Sequence, residues 1–186
     1  MKVELQKWRF SVEKHDYSEK DMEARIARFG KMKPNKMAFL DTRLPNHVRD
    51  IFNIIGSGVN ENMDTMPAIS SVNGFTVTYN GCESGKGAAL HSHETCEVFI
   101  PLTGRWSVYW GQDGEHEAIL DPFDVISLPT GILRGFKNVS DEYSILMAII
   151  EGNNPGKVGW HNDVVESAKS TGLELDVDGN LIDHIS

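Results

Sequence analysis

Between Phe75 and Ile150 the chain is built from short runs in which apolar and polar residues alternate, a period of two that belongs to strands and not to helices. Phe75, Val77 and Tyr79 alternate with Thr76 and Thr78. Trp106, Val108 and Trp110 share one face of another run, opposite Arg105, Ser107 and Tyr109, and the two outer tryptophans read as core. Glu117 to Leu120 and Val125 to Leu128 are further short candidates, and Tyr143 to Ile150 reads as a buried strand. Asn80-Gly81, the Ser84 to Gly87 run and Gln112-Asp113-Gly114 mark the turns. Short strands at regular spacing fit an antiparallel sandwich or barrel.

Within this region lies GKGAALHSHETCEVFIPLTG, residues 85–104. His91 and His93 share a face of an extended strand, and Glu97 follows on that face if the strand continues through a small irregularity. Two neutral imidazoles and one carboxylate suit a divalent transition metal, iron first, with zinc, nickel and manganese as the other candidates. The competing reading is a dry polar cluster, which would bury much polarity without a cation. Cys96 should face away from Glu97 and pack. Two apparent motifs fail on inspection. Asn80 and Gly87 break a phosphate-loop pattern, and DVDGN lacks the later glutamate of a calcium loop.

The spacing Gly85, His91, His93, Glu97, Gly104 resembles the first cupin motif throughout. The second motif is matched at Pro129, Gly131 and Asn138, but Phe123 stands at its glycine and Arg134 at its metal-binding histidine. The resemblance implies an all-β, antiparallel double-stranded β-helix, the jelly-roll barrel, with short N- and C-terminal helices. It also implies pairing into a homodimer and chemistry such as that of dioxygenases, isomerases or lyases. Arg134 then has two functional readings. It binds the carboxylate or enolate of a small anionic substrate beside a metal held by His91, His93 and Glu97, as the catalytic group of an iron-dependent dioxygenase. Or it takes the cation's place, pairs with Glu97 and leaves a metal-free module for a carboxylate or sugar-acid ligand. A third reading turns it outward to an acidic surface residue.

The expected organisation is an N-terminal arm with short helices (1–66), the barrel (67–152) and a C-terminal helix and tail (153–186). One helix is expected from Ser18 to about Phe29, capped by Ser18 and Asp21, and another from Asn46 to Gly56. A third, opened by Asp163 and Glu166, should end at Gly172. The formal charge of −9 argues against nucleic-acid binding. The two cysteines need no disulfide framework. No run reaches membrane-spanning length, the opening residues lack a hydrophobic signal core, and the cytoplasm is the expected location. His47, His116 and His161 have no spacing that makes them ligands, and Tyr79 and Tyr109 would matter only if they faced the cavity.

Overall fold

The computed structural model describes residues 15–59, 61–62, 66–153 and 156–185. The first fourteen residues of the expected arm, and Asn154 and Pro155 of the turn that opens the tail, lie outside them. The strands are β1 (Asp50–Ile55), β2 (Phe75–Cys82), β3 (Gly87–Ser92), β4 (Glu97–Pro101), β5 (Trp106–Trp110), β6 (His116–Leu120), β7 (Ile126–Leu128), β8 (Arg134–Asn138), β9 (Ser144–Glu151) and β10 (Gly159–Trp160). They form two antiparallel sheets, ordered β1-β2-β9-β4-β7 and β10-β3-β8-β5-β6. The tail adds helix α2 (Asn162–Lys169) and a small ribbon of β11 (Leu173–Leu175) with β12 (Leu181–Asp183).

The alternating runs become strands because their two faces meet different surroundings. Trp106 and Val108 are fully buried between the sheets with Phe99, Phe136 and Leu146. Phe136 meets Phe99 and Trp106 edge-on at centroid distances of 5.3 and 5.8 Å. Trp110, at the end of the same strand, is only half-buried.

On β2 the polar face is the interior one: Thr76 and Asn80 are buried, while Val77 and Tyr79 pack in an outer cluster with Phe52, Ala27 and Met32. The N-terminal segment thus covers the outside of this sheet. Asn80 lies within the strand rather than in a turn.

The helix expected over 46–56 is strand β1, paired with β2 from Asp50↔Gly81 onward. Both faces of that run are covered, Ile51 inside and Phe52 with Ile54 under the N-terminal segment, so its apolar residues fit either period. The first helix, α1 (Glu19–Glu23), has the Ser18–Asp21 capping box but ends early. Its stripe of Met22, Ile26 and Phe29 stays exposed, and a helix that short needs tertiary burial to propagate. In α2 the cap is His161, whose Nδ1 accepts from the Asp163 amide at 3.3 Å, not Asp163 with Glu166. Among the described residues no helix is long and apolar enough to cross a membrane.

Candidate metal centre

His91 and Glu97 do not share a strand. β3 ends at Ser92, the chain turns through His93 to Cys96, and Glu97 opens β4 in the opposite sheet. The triad therefore spans the sandwich. The irregularity falls instead between Ala88 and His91, where three steps on β3 oppose two on β8, from Ala88↔Phe136 to His91↔Arg134. This bulge reverses the alternation, so Ala88 and His91 both line the cavity although they are three positions apart. His93 is fixed from behind, where the Gly131 amide donates to its carbonyl at 2.9 Å. Gly131 has φ +76, a conformation suited to glycine.

The ligand atoms of His91, His93 and Glu97 lie within 4.8 Å of one another, and all three residues are buried. His91 Nδ1 lies 2.7 Å from the Ala89 carbonyl, which can only accept, so that nitrogen carries the proton and Nε2 keeps its lone pair. His93 Nδ1 is buried with no hydrogen-bond partner. Burial, with the nearby Arg134 charge, holds the His91 imidazole down to about 3. Burial, then His91 and Arg134, pushes His93 down as well. Both rings are neutral at ordinary pH, the form in which imidazole binds a metal. Burial lifts Glu97 to about 7 against the pull of Arg134.

Arg134 is completely buried and points inward, which removes the outward reading. Its Nε donates to Glu97 Oε2 at 3.0 Å, and Nη2 lies 3.0 Å from the same oxygen without hydrogen-bond alignment. Nη1 donates to the Ile132 carbonyl at 3.1 Å. Glu97 and the two histidines line the cavity, whereas Arg134 sits behind the carboxylate and is not in the wall. The guanidinium engages Oε2, the same oxygen that lies 3.7 Å from His93 Nε2.

The cavity measures about 40 Å³. A single water needs roughly 10–15 Å³ on that scale, so there is room for about three small oxygen-bearing groups. Its wall includes Arg49, Thr78 and Asn80 on the polar side, with Phe39, Val158 and Trp160 on the apolar side. Trp160 packs against His91 at a centroid distance of 5.5 Å, and its indole N–H donates to Glu61 at 2.6 Å. An open groove of about 490 Å³ shares His93 and Val158 with the cavity and carries Lys157 and Glu94.

The remaining candidates lie elsewhere. Tyr79 is in the outer cluster, and Tyr109 donates its hydroxyl to the Ala88 carbonyl at 2.6 Å. His116 is exposed beside Glu115, His161 caps α2, and His47 lies in a separate groove. Cys96 Sγ approaches Ser127 Oγ at 3.5 Å, and both cysteines are free thiols.

Sequence reasoning passed over Arg49, which reaches the site from β1's leading edge. Asp41 accepts from Arg49 Nη1 at 2.8 Å through both oxygens and from the Ala89 amide at 2.9 Å. The same Ala89 accepts from His91 through its carbonyl, so the N-terminal segment holds the residue that orients a ligand. The sequence offers no signal that singles them out, since Asp41 and Arg49 stand among Thr42, Arg43, Asn46, His47 and Asp50.

Neither a protein-family model nor a curated protein sequence matches this chain. Solved structures share its backbone. A cupin 2 domain-containing protein from Halorhodospira halophila superposes with a TM-score of 0.50 at 15% identity, over 66% of this chain and 77% of that one. The DMSP lyase DddQ from Ruegeria pomeroyi gives 0.47 at 17% identity, over 60% of this chain. A double-stranded β-helix protein from Klebsiella pneumoniae gives 0.46 at 14%, over 67% of this chain and 97% of its own. The chain spans about half, 51%, of DddQ. With its two facing antiparallel sheets, this chain has the cupin fold, a double-stranded β-helix. The likeness is one of fold, and function has to be argued from the site.

Proposed function

We propose that this protein is a metal-binding cupin in which His91, His93 and Glu97 hold one divalent transition metal, with iron the best fit, and that it acts on a small anionic molecule. The observation that carries this reading is the convergence of three buried donor groups within 4.8 Å. The residues fit a cation: both rings are neutral, His91 is locked in the tautomer that exposes Nε2, and His93 Nδ1 has no protein partner. Two histidines with one carboxylate are the donor set of non-haem iron oxygenases, so a dioxygenase is the reaction class it suits. Bound there, the metal would supply Lewis-acid and redox chemistry. Arg134 acts through Glu97 as a positioning residue that fixes the carboxylate, whose Oε2 lies 3.7 Å from His93 Nε2.

The test is elemental analysis of protein purified without chelator or metal-binding tag. About one equivalent of metal per chain, lost in His91→Ala, is expected. For iron, oxygen uptake with a panel of small carboxylic acids should depend on the ferrous ion. Absence of metal even after anaerobic reconstitution overturns the reading.

One observation favours a second reading. Arg134 already offsets the charge of Glu97, so the cluster has no net negative charge with which to attract a cation. A metal-free module for a small carboxylate is then what remains, and the same analysis separates the two.

A further inference from the structure

Arg134 is held against Glu97 outside the cavity wall, whereas a second buried arginine, with its own unpartnered donors, lines the cavity. Arg49 lines the cavity and is 5% exposed. Its guanidinium lies over the Phe39 ring at 5.2 Å. Every hydrogen bond that holds it comes from Nη1: to both oxygens of Asp41, to the His47 carbonyl at 3.0 Å and to the Gly87 carbonyl at 3.3 Å. Nε is buried with no acceptor, and no described residue accepts from Nη2. The three N–H groups left over form the Nε/Nη2 edge, the side-on fork that matches the two oxygens of a carboxylate. An orphaned buried donor on a charged group is costly unless something occupies it.

We propose that Arg49 is the anion anchor of this cavity and that the ligand is a short carboxylate bound through the Nε/Nη2 edge. This rests on the functional reading above only in placing the other end of the ligand toward His91, His93 and Glu97. Thr78 and Asn80 add a hydroxyl and an amide to the polar wall, suited to a hydroxy or keto oxygen next to the carboxylate. The volume of about 40 Å³ beside Arg49 favours a small ligand over a sugar acid or an aromatic acid. The class is the short carboxylates, with acetate, at four non-hydrogen atoms, nearest to the roughly three water-sized groups of space. Asp41 serves as counter-charge and clamp: it holds Arg49 through Nη1 and leaves the Nε/Nη2 edge without a protein partner.

The experiment uses the full chain after chelation, so its outcome does not depend on metal. Acetate, pyruvate and oxalate are titrated at constant ionic strength, with chloride and acetamide as controls, and read by thermal shift and calorimetry. At least one carboxylate should raise the melting temperature saturably where chloride and acetamide do not. Arg49→Lys keeps the charge beside Asp41 but loses the fork, and affinity should fall about tenfold or more. Asn80→Asp leaves the Arg49–Asp41 pair intact, puts a like charge in the cavity and should abolish binding. The proposal is overturned if the carboxylates act no differently from chloride, or if folded Arg49→Lys or Asn80→Asp protein binds as tightly as wild type. Carboxylate binding by a protein that never takes up metal would overturn the metal reading and leave this one standing.

Discussion

Phe123 occupies the position where the cupin motif has glycine, and its backbone shows the consequence. It has φ 74, alone among non-glycine residues described, and its side chain is 77% exposed. A side chain in the left-handed region costs about 1–2 kcal/mol. Little burial offsets this, and the hydrogen bond from the Phe123 amide to the Pro101 carbonyl at 2.9 Å needs no side chain. Phe123→Gly removes the steric cost but returns about 0.4–1 kcal/mol of freedom to the unfolded chain. The net expectation is a gain of about 0.5–1 kcal/mol. For a domain of this length each kcal/mol moves the midpoint about 2–4 °C, so melting should rise by about 1–4 °C. Phe123→Ala retains Cβ and should melt within about half a kcal/mol of wild type. Differential scanning calorimetry of the three proteins decides it. If Phe123→Gly melts at or below Phe123→Ala, the strain argument is wrong.

Three further outcomes are expected. Arg134→Met leaves Glu97 buried without its partner and should cost about 3–5 kcal/mol in urea unfolding of metal-free protein, much of it recovered in the Glu97→Gln/Arg134→Met double variant; a cost under about 1 kcal/mol would show that the pair does not clasp the sheets. Burial lifts Glu61 from 4.5 to about 7, so the folded chain holds its proton longer than the unfolded one. Its contribution to stability is full below pH 4.5 and is lost as pH rises through 7, up to about 3 kcal/mol at about 1.36 kcal/mol per pH unit; Glu61→Gln should flatten that fall, and an unchanged slope counts against it. Tyr109→Phe, which loses the bond to the Ala88 carbonyl, should cost about 1 kcal/mol by the same unfolding assay, and no loss would mean water replaces it.

The barrel was legible because most of its strands alternate apolar and polar residues, as in Trp106 and Val108 between the sheets against Ser107 and Tyr109, although Ser107 is itself buried. The ligand residues were legible because His91, His93 and Glu97 keep a motif spacing, even though that spacing suggests a continued strand for Glu97 and the chain turns a corner instead. Asn138 is a motif residue whose role is structural, since its amide donates to the Cys82 and Glu142 carbonyls at 2.9 and 2.7 Å. What stayed hidden depends on distant pairing. Asp50–Ile55 is covered on both faces, so its period carried no information. Arg49 acquires its role only when Asp41, Gly87 and Phe39 surround it. On β2 the interior face is the polar one, because Thr78 and Asn80 there form a cavity wall rather than packed core.

The Ala89 amide donates one hydrogen bond to the Asp41 carboxylate across 48 residues of sequence. Local pairing of β3 with its neighbours does not require Asp41, but the clamp on Ala89 closes only after the N-terminal segment has docked. Contacts that distant in sequence form late, since loop closure precedes any gain from them. The barrel can therefore be assembled while its centre is still unfinished, and a boundary at residue 66 separates two lengths of chain but not two functions. A shortened protein that begins at residue 67 would keep all three ligands but lose β1, the edge strand of its sheet, and with it Asp41, which helps to set His91 in place.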